Sequence, residues 1–168
     1  KKYPSFRRLW IAQAISNFGD WFGLLALYAL VQRFSDSEFL LGLVIIVKML
    51  SLAFFSPIAG YLTDRFNRRL LMIICDGGRA VSLLLMLLVQ HESLLWIAYA
   101  LTSFQMMLSA IFEPAKTASI PNVTPSERLV DANIISTATW SIIFTTGMAI
   151  GGFATKWIGV EAVFVLDA

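Results

Sequence analysis

Residues 60–69 read GYLTDRFNRR, one acid and three arginines set between two long apolar runs. The surroundings of this stretch decide the fold. Of the 168 residues, 58% are hydrophobic and only 14% charged, and the mean hydropathy is +0.74. A water-soluble domain of this size presents more polar surface than that. Its helices would also turn a polar stripe to water about every 3.6 residues, and the apolar runs here have almost none. A helix needs roughly 20 residues to cross a hydrocarbon layer of about 30 Å, with every backbone group satisfied inside the segment. Five runs reach that length, at 9–31, 39–62, 70–89, 94–112 and 129 to about 155, and a sixth begins near 160 and stops at Ala168. The expected fold is an all-α membrane bundle of five complete transmembrane helices plus the start of a sixth. The sixth run has no polar flank, so the chain is expected to be a piece of a longer one. Run 9–31 is too long for a signal-peptide core and is expected to be retained.

The same loop helps to set the orientation. Lysine and arginine in short connections favour the cytoplasmic side. The segment KKYPSFRR carries four, DRFNRR three and the connection 113–128 two, against Arg33 and Lys156 on the other side. This places the N-terminus in the cytoplasm and makes 32–38, 90–93 and 156–159 external. Within the connections, Thr124, Pro125 and Glu127 fit a capping box for the fifth helix. Pro114 and Pro121 are expected to keep the preceding connection from running on as one straight helix.

Several chemistries lack parts. Cys75 and His91 are the sole residues of their kinds, too few for a disulfide framework, a thiol or histidine triad, or a metal cluster. No glycine-rich nucleotide loop is present. The chain is therefore not expected to be an enzyme or to hold a cofactor.

Function must come from polar groups inside the spans, where a charge is costly and faces a cavity or a partner. Asp20 falls near mid-membrane, and Gln13, Ser16, Asn17 and Asp20 recur at threes and fours as one polar stripe, expected to face a central cavity. Asp76 and Arg79, three apart, either neutralise each other or serve that cavity. Lys48 has no acid within a turn of its own helix and needs a partner elsewhere, such as Asp20 across helices, an anionic substrate group, or a lowered pKa. An unpaired Asp20 would be able to exchange protons near neutral pH. Gln105 and Ser109 are further cavity candidates, and Trp21, Phe22, Tyr28, Tyr99, Phe104 and Trp140 are candidates for an apolar path. Gly147, Gly151 and Gly152 form a flat patch for close helix packing or for a mechanistic role.

The spacing Gly-x-Leu-x-Asp-Arg-x-x-Arg-Arg over residues 60–69 closely resembles the loop signature of the major facilitator superfamily, Gly-x-Leu-x-Asp-Arg-x-Gly-Arg-Lys or Arg. Asn67 stands where that signature has glycine, and is expected to tolerate the same left-handed turn. ISNFGDWF, CDGGRA and FEPAKTASIPNVTPSERLVDAN resemble the bacterial facilitators that export macrolides, siderophores or lysophospholipids. GMAIGG is similar to the antiporter signature of drug exporters, with Met148 for its proline and Ile143 for an earlier glycine. The resemblance implies the N-terminal half of a 12-helix facilitator fold in a bacterial inner membrane. It also implies proton-coupled efflux of an amphipathic small molecule such as a drug or siderophore. In the gating loop, Gly60 would be a close-packing point, Asp64 and Arg65 part of a latch, and Arg68 and Arg69 its basic end. The implied partners are the lipid bilayer, a small-molecule substrate, protons and a missing C-terminal transmembrane half, with no nucleic acid. The alternatives are a lysophospholipid flippase-like facilitator and a membrane scaffold or degenerate subunit that transports nothing.

Overall fold

The structure is a computed structural model that describes residues 4–168; Lys1 and Lys2, counted above for orientation, lie outside them. Six α-helices follow in order, α1 (Pro4–Phe34), α2 (Glu38–Arg65), α3 (Arg68–Met86), α4 (Leu95–Val123), α5 (Leu129–Ile158) and α6 (Val160–Asp167). Short 3-10 turns at Glu92–Leu94 and Ser126–Arg128 lead into α4 and α5, and no strand occurs among the described residues.

The bundle is apolar on its outside. Phe39, Ile45, Leu50 and Phe54 of α2 are all exposed, as are Trp96, Phe153 and Trp157 on other helices. Buried positions include Gln13, Asn17, Ser51, Thr63, Ser82, Thr102 and Lys116. Most buried positions are apolar as well, so it is the apolar outside that suits a hydrocarbon solvent, in which apolar side chains need no shelter and polar groups must find partners. Thr63, Ser82 and Thr102 each donate to the carbonyl four residues back, at 2.8, 2.7 and 2.7 Å, which satisfies the hydroxyl without a second helix.

Four stretches are long and apolar enough to cross a membrane, Trp10–Phe34, Glu38–Arg65, Glu92–Asn122 and Ser126–Ile158. The third run differs from the expectation of a full span. Its helix has 19 residues, and these include Arg68, Arg69, Asp76 and Arg79. α6 is eight residues long.

Two connections also depart from the sequence reading. α4 runs through Pro114 and Pro121 to Val123, although a proline removes one backbone donor and crowds the carbonyl four residues earlier. The carbonyls that lose a backbone donor are those of Ala110 and Thr117; close to the second proline, Ser119 donates to the Ala115 carbonyl and Arg68 of α3 to the Ala118 carbonyl, both at 2.7 Å. The capping box does not form either. The chain closes a 3-10 turn from Arg128 N to Pro125 O at 2.9 Å, which moves the start of α5 to Leu129. Thr124 is left at the end of α4, its hydroxyl without a partner among the described residues.

Helix packing is set by small residues and by one apolar cluster. A Cβ on Gly151 would sit 2.6 Å from the Phe22 carbonyl oxygen, one on Gly147 3.1 Å from the Trp21 Cβ, and one on Gly152 3.3 Å from a Leu25 methyl. α5 thus lays its glycine face on the backbone of α1. Phe22, Leu30, Val31, Val44, Met86 and Phe164 tie α1, α2, α3 and α6 into the main core. Cys75 lies in a smaller cluster with Leu108 and Phe112. At the end where α1 finishes and α6 begins, Arg33 pairs with Glu161.

Candidate functional site

α1, α2, α3, α4 and α6 enclose a cavity of about 340 Å³. Its polar lining is Ser16 and Asp20 from α1, Lys48 from α2, Asp76 and Arg79 from α3, Gln105 from α4 and Asp167 from α6. Depth explains why these residues meet. Counted from the shared end of the bundle, Arg79 and Asp167 lie seven residues in, Lys48, Asp76 and Gln105 ten, and Asp20 fourteen, or about 10 to 21 Å at ~1.5 Å per residue. Independent helices bring their charges to one layer.

Arg79 is the centre of the cluster. Its side chain is 11% exposed, it pairs with Asp20 of α1, and it lies 3.5 Å from Asp76. Arg79 also donates to the Ser16 hydroxyl at 3.2 Å, and Ser16 donates on to Asp76 at 3.3 Å. The guanidinium stacks over the Phe112 ring, 5.7 Å from its centre, an arrangement that favours a desolvated cation. A buried arginine without such partners would cost several kcal/mol, roughly 3 to 5.

The sequence reading of the Asp76–Arg79 pair is therefore extended, because both Asp20 and Ser16 join it. Asp20 is not unpaired, and Lys48 does not pair with it. Lys48 makes no ion pair within 4 Å among the described residues; Asp167 acts electrostatically on both Lys48 and Arg79. Asp167 escaped the sequence reading. A Cβ at Gly19 or Gly23 would collide with its carboxylate, one oxygen against each glycine. The glycines leave a notch on α1 that seats the acid, and Gly19 inside ISNFGDWF was the available sign of a close approach there.

The polar stripe of α1 divides. Successive helical residues are ~100° apart, and only Ser16 and Asp20 reach the charged cavity. Asn17 is buried elsewhere, its amide nitrogen without a partner among the described residues. Gln13 lines a different cavity with Arg8, Arg68 and Arg69. Gln105 is in place, whereas Ser109 is not in the lining. None of the six candidate aromatics lines the charged cavity. Trp21 packs edge-on against Phe144 and Trp140, at 4.5 and 5.9 Å between ring centres, and the Tyr99 hydroxyl donates to the Leu40 carbonyl at 2.9 Å.

In the 60–69 loop, a Cβ on Gly60 would have nothing within 4 Å. Asp64 is exposed and makes no ion pair within 4 Å among the described residues, while Arg65 engages the hydroxyl and ring of Tyr61. Asn67 does not take up a left-handed turn. Its backbone is extended, φ −63° and ψ 113°, and its side chain caps α3 by accepting from the backbone of Arg69 and Leu70 at 3.0 and 3.4 Å. An asparagine at that position makes the cap that a glycine would lack.

Residues 9–168 match the family model described as the Major Facilitator Superfamily. The Bacillus subtilis protein named uncharacterized MFS-type transporter YfiS is 29% identical over 158 residues, which are 94% of this chain and 37% of that protein. The multi-drug resistance efflux pump PmrA of Streptococcus pneumoniae is 31% identical over 133 residues, 76% of this chain and 31% of the pump. The lysophospholipid transporter LplT of Photorhabdus laumondii is 26% identical over 147 residues, 88% of this chain and 35% of the transporter. The chain thus spans 31 to 37% of the length of these curated relatives. No solved structure matches it at a significant level.

Proposed function

The chain belongs to the Major Facilitator Superfamily and is a multi-pass membrane protein, and on that premise we propose that it is the N-terminal half of a twelve-helix secondary transporter. Its proposed work is proton-coupled efflux of an amphipathic small molecule, such as a drug or siderophore, across a bacterial inner membrane, with the N-terminus in the cytoplasm. The observation that carries this reading is the charged layer inside the bundle, where Asp20, Asp76 and Asp167 face Lys48 and Arg79. Three carboxylates against two bases leave one negative charge over. A proton or a cationic substrate balances it, and exchange of one for the other is a coupling step.

In this reading Asp20, Lys48, Asp76, Arg79 and Gln105 form the substrate or proton pathway, while Gln13 and Asn17 shape α1 beside it. Gly60, Asp64 and Arg65 form one side of a latch that closes on a C-terminal half as the two halves rock. The open space around Gly60 supports that assignment, since it leaves room for a helix from outside this bundle. Gly147, Gly151 and Gly152 act in helix packing.

A second reading, a lysophospholipid flippase-like facilitator, is favoured by the similarity to LplT. A scaffold that transports nothing has no need of a charged layer at this depth. The test uses the full-length protein in liposomes, with substrate-driven proton flux as the readout. Wild type is expected to show flux and Asp20→Asn to lower it. Unchanged flux in the variant removes Asp20 from the proton path, and transport of candidate substrates without proton movement rejects the coupling. No transport of drug, siderophore or lysophospholipid by wild type rejects the transporter reading.

A further inference from the structure

One buried aromatic ring between α3 and α4 carries two cations. Phe112 of α4 packs in a cluster with Cys75 of α3 and Leu108 of its own helix. The Arg79 guanidinium lies 5.7 Å from the ring centre, and the Lys116 ammonium lies at the same distance. The two positive groups are therefore no farther apart than twice that distance, and in a low-dielectric interior they repel. Lys116 reaches the ring because it is one turn on from Phe112 along α4. Arg79 reaches it from another helix.

The close approach of the two helices at this level is made at Gly78. A Cβ there would lie 2.7 Å from a Leu108 methyl. Gly78 immediately precedes Arg79, and Leu108 is one turn before Phe112, so the missing side chain brings the guanidinium within reach of the ring. All of these contacts are made between α3 and α4.

The ionic partners of the two cations differ in kind. Lys116 donates to Glu113 on its own helix at 2.6 Å, so its charge is offset locally. Arg79 is shared by Asp20 and Asp76, two acids of the charged layer. In the proposed transport reading these acids lie on the substrate or proton pathway, and their charge changes during a cycle. A carboxylate that takes up a proton no longer attracts the guanidinium as an ion. The ring has no proton to gain or lose, and its negative face attracts a cation equally at every step.

We propose that Phe112 is a positioning residue of the charged layer: its ring holds Arg79 in place while the acids around that arginine gain and lose charge. The role in the cycle rests on the transport reading, and the hold itself rests on the α3–α4 geometry. Phe112 acts only through Arg79.

The test replaces Phe112 of the full-length protein with mono-, di- and trifluorinated phenylalanine, which withdraw charge from the ring face stepwise and leave its shape nearly unchanged. Two quantities are read along the series, Tm in detergent and substrate-driven proton flux in liposomes. Tm is expected to fall stepwise, to fall by the same steps in a Lys116→Met background, and to stay level in an Arg79→Leu background. Maximal flux is expected to drop about tenfold by the trifluorinated ring, as the loss of a desolvated cation–π contact implies. A Tm that stays level in the otherwise wild-type protein overturns the hold. A Tm that falls equally in Arg79→Leu also overturns it, because Lys116 or ring packing then accounts for the effect. Constant flux along the series in an active transporter overturns the role in the cycle. A wild type that moves no substrate rejects the transport reading and that role with it, while the Tm series decides the hold on its own.

Discussion

The Asp20 carboxylate of α1 holds the Arg79 guanidinium of α3, so the charge of Arg79 is neutralised between helices as well as within one. Asp76, on Arg79's own helix, is the second partner at 3.5 Å. Removing Asp20 leaves Arg79 half-compensated, whereas removing Arg79 leaves two acids without a base. Asp20→Asn is expected to cost about 1 to 2 kcal/mol, below the usual cost for a fully buried pair because Asp20 is partly exposed, and Arg79→Leu to cost more. A double-mutant cycle on unfolding free energy in detergent checks this. A coupling below about 0.5 kcal/mol would mean the two do not act as a pair.

Lys48 predicts the opposite balance of stability and function. It lines the cavity without an ion pair, so its charge is a cost that no contact within 4 Å offsets. Lys48→Met keeps the stem and removes the charge, and is expected to leave Tm unchanged or raised while transport falls. A drop in Tm would show that the ammonium is structurally held.

The glycines separate into two kinds. Gly151→Ala sets a methyl against the Phe22 backbone and is expected to destabilise the α1–α5 contact by about 1 to 3 kcal/mol. Gly60→Ala meets open space and is expected to stabilise α2 by up to ~1 kcal/mol. If Gly60 is the packing point of a latch, the same substitution slows transport in the full-length protein. Tm and transport rate, measured side by side on both variants, test the two roles.

Asn67 predicts a local cost. Its side chain takes two backbone donors at the start of α3, so Asn67→Ala is expected to lose about 1 kcal/mol and Asn67→Asp or Asn67→Ser to retain most of it. Hydrogen exchange at the amides of Arg69 and Leu70 reports the cap directly, and unchanged protection in the alanine variant would rule it out.

What was legible in the sequence is what a bilayer dictates. Run length and apolar exposure follow from hydrocarbon thickness, and the helices appear where those runs lie. The third run, 70–89, holds only Asp76 and Arg79 as charges, but its helix begins at Arg68 and ends at Met86, and it is not among the four stretches long and apolar enough to cross a membrane. Spacing rules describe one helix at a time. Three-residue spacing identified Asp76 with Arg79 and could not show that Asp20 of α1 competes for the same guanidinium. Asp167 was missed for a related reason, since the notch of Gly19 and Gly23 that receives it is on another helix. The proline rule failed at Pro114 and Pro121, where α4 continues to Val123 although each ring removes the donor to the carbonyl four residues earlier, at Ala110 and Thr117. Asn67 was placed in the right turn with the wrong job: the turn needed a cap more than a left-handed residue.

The unbroken path of α4 through both prolines makes it a lever. Its 29 residues measure about 43 Å at ~1.5 Å per residue, some 13 Å more than a hydrocarbon layer of about 30 Å requires. One arm carries Gln105 in the charged layer, and the other carries Ala118 under the grip of Arg68. The charged layer and the turn where GYLTDRFNRR ends are therefore joined by one continuous helix.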